Sequence, residues 1–416
     1  MSDIVLGSTL HVCMLVTNDM FSDPRVSRHA VTLARQGFKV SIICPLSDRT
    51  RRAEVRDGYE ILRVRSEFFG YWEKLAKRRK GLSAPSLSPK GALGTTRERL
   101  RLKRMLISHV KRTLLQLALL RTARKTRAHV YCANDLDTLL ITTLAAGLDR
   151  PVVYDSHELW PDMLIGVPPF YKRMLMSFER LLIGRADSVM TVNSLIANVL
   201  TSRYSLKKPV NVIHNFPNRE PTGPKRAMTS GDKIALYQGG YLPERGLENL
   251  VIAAQYLTPD VRLVLRGFGD IEERLRMLAV GHANVCFEEP AALEQLVDLA
   301  GYADVGIVSY LPTNLCNYLA SPNKLFEYIN AGLPIVTSDL PFLRKIVIGN
   351  NIGILFDPKD PKSIAAAINQ ATRPGNLEKF RRNVAAVAPQ FTWRVEAPKL
   401  LQVYKSCVKR RTPTYF

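Results

Sequence analysis

Residues 321–334, SPNKLFEYINAGLP, place a cation, Lys324, three positions before a carboxylate, Glu327, at the start of an amphipathic stretch. Pro322 is expected at the first helical position, where a missing N–H costs nothing. The N–H groups that follow, on Asn323, Lys324 and Leu325, point out of the helix N-terminus, where the dipole favours an anion. Lys324 adds a full positive charge to that turn. Glu327, one turn on, can accept two hydrogen bonds from a vicinal diol. A diphosphate and a ribose match these two features in spacing. The same two residues also fit a plainer description, a surface i,i+3 pair worth about a few tenths of a kcal/mol. Gly332 and Pro334 end the helix and open the next strand.

Further chemistry-bearing residues stand at the ends of apolar runs. His157 and Glu158 follow such a run in YDSHELWP, and His157 is the candidate for an acid/base or polar contact to an acceptor. Asn134 and Asp135 close another run, in YCANDLDTL; Asp135 is placed either to contact a substrate or to cap the next helix. In TNDMFSDPRVSRHA, Asp23 stands where an N-cap belongs and Arg25 where a side chain could reach a cleft. That turn is not glycine-rich, so the dinucleotide fingerprint is absent, which argues against a nicotinamide enzyme.

Holding such groups in place takes a rigid frame. Strands are expected at 10–16, 39–45, 59–64, 128–134, 151–156, 188–193 and 210–215, with helices at 24–37, 137–147, 169–185 and 194–203 between them. The continuous apolar runs are those of strands buried on both faces. The polar segment 217–232, rich in Pro and Gly, reads as a linker. The rhythm then resumes with strands at 233–240, 261–267, 283–289, 305–310 and 334–338. Helices at 245–257, 270–280, 291–302, the opening stretch, 341–347, 361–371 and 393–410 complete it. The expected fold class is α/β, with two Rossmann-like doubly wound domains, 1–216 and 233–392, facing across a cleft at their strand C-terminal ends. The helix within 393–416 is expected to pack back on the N-terminal domain.

The 416 residues carry a net charge of +22, and the window 72–127 supplies seventeen Lys/Arg against two acids. This basic insertion reads either as a solvated helix pair or as a surface for anionic lipid; Leu100, Met105, Leu106 and Val110 fall near helical spacing among its cations. No zinc-finger, RNA-sheet or heptad pattern accompanies the charge, so nucleic acid is not an expected partner. The six cysteines show no metal-ligand spacing and suit a reducing compartment. No secretory signal and no apolar run long enough to span a membrane is seen.

The segments YDSHELWPDM, YQGGYLPERGLENLVIAA, LVLRGFGD and SPNKLFEYINAGLPIVTSDLP, in this order, resemble the retaining GT-B glycosyltransferases of the family 4 type, from about residue 10 to 406. The resemblance implies a nucleotide-sugar donor held by the C-terminal domain, an acceptor held by the N-terminal domain, and neither metal nor cofactor. It places Glu327 on the donor ribose and Arg245 on the diphosphate, with Lys324 sharing that task. Gly239 and Gly240 would let backbone approach the phosphates, while Gly267, Phe268 and Gly269 would line the nucleobase pocket. Arg25, Asn134, His157 and Glu158 become acceptor-side residues; Asn134, Asp135 and His157 join Arg245 and Lys324 as catalytic candidates. Two departures stand out: the family's second Glu is Leu319 here, and its strand-end His is Asn134. Asn314 or Asn317 would have to replace the lost sugar contact. The expected activity is sugar transfer from a UDP- or GDP-sugar to a lipid-linked or polysaccharide acceptor, by a cytoplasmic protein on the inner face of a membrane. Transfer to a soluble small molecule, sugar-nucleotide 2-epimerisation, and a catalytically impaired nucleotide-sugar-binding homologue are the alternatives.

Overall fold

The computed structural model describes residues 9–21, 23–65, 93–218 and 231–411, with backbone alone at 93–109 and 410–411. The expected loop at 81–94 and the basic window before residue 93 lie almost wholly outside the described residues, as does most of the expected linker.

The first sheet is assembled from β1 (His11–Leu15), β2 (Lys39–Pro45), β3 (Ala53–Arg56), β4 (Tyr59–Val64), β5 (Val130–Asn134), β6 (Val152–Ser156), β7 (Ser188–Thr191) and β8 (Asn211–Val212). Their order is β3-β4-β2-β1-β5-β6-β7-β8. β3 pairs antiparallel with β4, in a hairpin turned at Asp57-Gly58, a strand the sequence reading did not expect. Around these strands lie α1 (Pro24–Arg35), α2 (Leu93–Thr126), α3 (Leu136–Ala146), α4 (Trp160–Met163), α5 (Pro169–Ile183) and α6 (Ser194–Tyr204). Asp23 caps α1 as expected, accepting the Val26 N–H at 3.0 Å. From Leu93 onward the basic segment is one helix of 34 residues.

The second sheet is wholly parallel, in the order β11-β10-β9-β12-β13-β14. Its strands are β9 (Lys233–Gln238), β10 (Val261–Arg266), β11 (Val285–Glu288), β12 (Val305–Val308), β13 (Ile335–Ser338) and β14 (Gly353–Phe356). The helices are α7 (Leu247–Ala253), α8 (Glu272–Leu278), α9 (Leu296–Ala300), α10 (Leu315–Tyr318), α11 (Asn323–Asn330), α12 (Pro341–Gly349), α13 (Pro361–Thr372), α14 (Pro374–Val387) and α15 (Trp393–Arg411). Each sheet has a topological switch point where strand order reverses, between β1 and β5 in the first and between β9 and β12 in the second. Open α/β sheets take ligands at the C-terminal ends of such strands.

The chain divides into two compact units, and the division differs from the expected boundaries. The first comprises the described residues of Met1–Asp155, Glu179–Val189 and Val403–Phe416; the second comprises those of Ser156–Phe178 and Met190–Gln402. Within the second unit, short polar links tie early to late sequence. Asn193 Nδ2 donates to the Leu319 carbonyl at 2.9 Å, and the His214 N–H donates to Glu396 at 3.1 Å.

Candidate active site

The signature helix α11 begins at Asn323. Pro322 is its N-cap, in extended backbone (φ −68°, ψ 135°), one position earlier than expected, and no side chain caps the turn. Leu325, Phe326, Tyr328 and Ile329 anchor α11 in the core, which fixes where Lys324 can go. Lys324 is 8 % exposed, and its Nζ has no hydrogen-bond partner. It sits 3.7 Å from the centroid of the Tyr237 ring and 5.9 Å from that of Tyr310. Arg245, on the 3₁₀ turn Pro243–Arg245 that follows β9, lays its guanidinium 3.8 Å over the same Tyr310 ring. Among the described residues Arg245 carries no ion pair. Two cations are therefore held by aromatic faces, which attract a cation without occupying its N–H donors. Burial, then the Arg245 charge, drives the Lys324 ammonium well below its ordinary value, against the opposing pull of Glu327. An anion placed here would relieve both costs.

Glu327 is oriented from the sheet. The register sets Gln238 of β9 beside Arg266 of β10, and Arg266 beside Glu288 of β11. Gln238 Nε2 donates to Glu327 at 3.2 Å. Arg266 binds Glu288 at 2.7 Å, and Tyr302 Oη donates to the other Glu288 oxygen at 2.9 Å. The Gln238 N–H donates to Tyr328 Oη at 2.7 Å, which ties β9 to α11. Sequence reasoning missed Gln238, Tyr237 and Tyr310; their only signal was their position at strand C-terminal ends.

Gly239 follows β9 with φ 133°, and a Cβ there would lie 3.1 Å from Lys324 Nζ, so bare backbone abuts the ammonium. Gly267 is required more strictly: a Cβ would sit 2.0 Å from the Gly239 carbonyl oxygen. Gly240 is under no such constraint, its nearest neighbour being 3.7 Å away. Phe268 is exposed beside Gly269. Leu325 corrects an expectation: its side chain is in the core and its N–H donates to the Pro322 carbonyl at 3.1 Å, which leaves nothing for a ligand. Asn323 accepts a hydrogen bond from Asn215 at 2.7 Å.

His157 and Glu158 belong to the same unit as these residues. His157 is half-buried, and the exposed Glu158 accepts from the Cys316 thiol at 3.3 Å. The charge of Glu158 reaches Tyr310, as do those of Arg245 and Glu327.

Arg25, Asn134 and Asp135 lie in the first unit. Arg25 is not an outward contact: its guanidinium is buried and doubly bonded to Asp155, at 2.9 and 2.6 Å. Asn134 Nδ2 donates to the Leu15 carbonyl at 3.0 Å, which spans the switch point between β1 and β5. Its buried Oδ1 has no partner. Asp135 occupies the N-cap position of α3 without a side-chain cap bond, at φ 64°, ψ 167°. The capping alternative is not realised, and this backbone region is strained for any residue with a Cβ.

A glycosyl transferase 4-like domain model matches residues 23–215, and a glycosyl transferases group 1 model matches residues 232–373. The chain belongs to the group 1 glycosyltransferases. TuaH of Bacillus subtilis, a glycosyltransferase named for teichuronic acid biosynthesis, is 26 % identical over 213 residues, which is 47 % of this chain and 52 % of TuaH. The sucrose-phosphate synthase of Thermosynechococcus elongatus superposes with a TM-score of 0.68 at 18 % identity, over 95 % of this chain and 98 % of the other. Anabaena Alr3699/HepE in complex with UDP superposes with a TM-score of 0.63 at 16 % identity, over 95 % of this chain and 100 % of the other. These likenesses establish the GT-B fold, two parallel-sheet domains.

Leu319, where the resemblance implies a second Glu, is buried and presents only backbone to Asn193. Each expected substitute has one amide atom engaged within the loop. Asn314 caps α10 by accepting the Asn317 N–H at 2.8 Å, and Asn317 Nδ2 donates to Thr313 at 2.8 Å. Ser309 and Ser321 instead hold buried hydroxyls without partners, at the end of β12 and just before α11.

Proposed function

We propose that this chain moves a sugar, with retention, from a nucleoside-diphosphate sugar to an acceptor hydroxyl on a lipid-linked or polysaccharide intermediate at a membrane surface. The observation that carries this reading is the unpartnered Lys324 ammonium, buried beside Arg245 at an uncapped helix N-terminus. Breaking a sugar–phosphate bond leaves an additional negative charge on the departing diphosphate. Lys324, Arg245 and the first-turn N–H groups of α11 are preorganised to meet it. Glu327, steadied by Gln238, takes the ribose hydroxyls. The sugar carbon develops oxocarbenium character, as in glycoside hydrolysis. The acceptor oxygen bonds to it on the face the phosphate leaves, and the departing phosphate oxygen takes the acceptor proton. His157 and Glu158 stand on the acceptor side of this reading. With the charge met by protein groups, no divalent metal is needed. The UDP complex of HepE and the naming of TuaH for teichuronic acid biosynthesis agree with this donor and acceptor class. A second reading, nucleotide-sugar binding without turnover, is favoured by Leu319 and Asn134.

A thermal-shift screen of UDP, GDP, ADP and their sugars with EDTA present tests the donor site. One nucleoside diphosphate should raise the melting temperature of the wild type and leave that of Glu327→Ala unmoved. If no nucleotide shifts the wild type, the donor site is misassigned. If nucleotide binds and no donor sugar is turned over with any acceptor, the second reading holds.

A further inference from the structure

We infer that α5 is a membrane-docking element that lies in the headgroup region of an anionic bilayer. This extends the membrane-surface part of the proposed function, and it rests on residues outside the basic window 72–127.

Phe170, Met174, Phe178 and Leu181 recur every three to four residues along α5, so they share one face. That face is turned to solvent: Phe170 is 67 % exposed, Met174 53 % and Leu181 73 %. The opposite face carries the buried Glu179, Leu182 and Ile183. The segment leading into α5 exposes Met163 and Ile165 as well. Single exposed apolar residues are ordinary, but a continuous stripe marks an interaction surface.

The surrounding charges select the occupant. From 163 to 185 the chain carries Lys172, Arg173, Arg180 and Arg185 against one acid, Glu179. That acid is buried and accepts from Tyr154 Oη at 2.8 Å, so it is withdrawn from the surface. Arg173 and Arg180, two turns apart, run along one side of the apolar stripe. An apolar face rimmed by cations is the pattern of an interfacial helix on anionic lipid. A second copy of this chain would bring the same cations together, which opposes pairing. Among the described residues no helix is long and apolar enough to cross a membrane, so α5 would lie on the surface.

The test is co-sedimentation of the full chain with vesicles of phosphatidylcholine alone and of an equimolar mixture with phosphatidylglycerol. The wild type should bind the anionic vesicles more tightly. A Phe170→Ser, Leu181→Ser pair should weaken that binding by roughly tenfold or more, the partition lost with two apolar side chains. An Arg173→Glu, Arg180→Glu pair should weaken it and flatten its salt dependence. Both pairs should keep the wild-type melting temperature and nucleotide shift, which separates this surface from the donor site. Unchanged vesicle binding in the Ser pair overturns the proposal, as does a dimer that the Ser pair dissociates without altering vesicle binding. A wild type that shows no nucleotide shift, yet binds anionic vesicles and loses that binding in the Ser pair, would break the donor assignment and leave α5 standing.

Discussion

Two switch points in this chain carry cations at strand C-terminal ends, and they treat them in opposite ways. In the first unit Arg25 is clamped by Asp155, with His29 Nδ1 3.5 Å from the same carboxylate, and Asn134 closes the gap to β1. In the second unit Lys324 and Arg245 share the ring of Tyr310, and neither is paired with a carboxylate among the described residues. A buried charge that is neutralised internally is part of the frame. A buried charge held ready without a counter-ion is held for a ligand, since leaving it so costs stability that nothing in the fold returns.

The sharpest way to break this contrast is to remove the counter-ion where there is one. Asp155→Asn should cost about 3–5 kcal/mol in urea-unfolding stability, because it takes away the negative charge to which the buried Arg25 guanidinium is doubly bonded. Adding Arg25→Met should recover most of that loss. If Asp155→Asn is nearly neutral, the pair is not a strut, and Arg25 returns as a candidate for substrate contact.

The second unit should respond with the opposite sign. Lys324→Met keeps the aliphatic stem and deletes the unpaired charge, so the ligand-free protein should gain roughly 1–3 kcal/mol. Diphosphate affinity should fall about ten- to a hundredfold, the value of a hydrogen bond to a charged group. The pH dependence follows from the lowered ammonium. The unfolded chain holds its proton up to about 10.5, whereas the folded chain releases it well below that. In that window the unfolded state binds more protons, so this group makes stability rise with pH. The penalty is full below the folded-state value and gone above the unfolded one. A bound diphosphate raises the ammonium again, so at a pH inside the window binding takes up a proton. Calorimetry in buffers of different ionisation enthalpy should show that uptake in the wild type and none in Lys324→Met.

Much of this was legible in the chain. The alternation of apolar runs gave both parallel sheets, and Pro322, Lys324, Glu327 and Gly332 framed α11 to within one residue. Readings failed where the deciding contact is distant in sequence. Arg25 meets its partner 130 positions away, and Asn134 meets Leu15 at a separation of 119. No local pattern reports such pairings. Leu325 does not fit the donor-binding expectation, because the Pro322 carbonyl takes its N–H within the same turn. Tyr237 and Tyr310 carry no local signal of their role, and only three-dimensional placement shows that their faces hold the cations. The β3 hairpin carries its signal openly, in Asp57-Gly58, although β3 itself is short and half-exposed.

The finest test separates holding a charge from aiming one. Gln238 touches neither cation; it donates to Glu327 and lies beside Arg266, which Glu288 occupies. Gln238→Leu keeps the bulk and removes the donor, so Glu327 loses one fixed bond and gains freedom to turn. The expected cost is about 1 kcal/mol, or roughly fivefold in nucleotide affinity. It should fall on the ribose and spare the phosphates. Binding of a nucleoside diphosphate should therefore weaken in the variant, while its 2′-deoxy analogue, which lacks the hydroxyl pair, should bind wild type and variant alike. If both nucleotides lose affinity equally, Gln238 supports the loop around Gly239 rather than the carboxylate. The contrast between paired and waiting charges would then extend no further than Lys324 and Arg245.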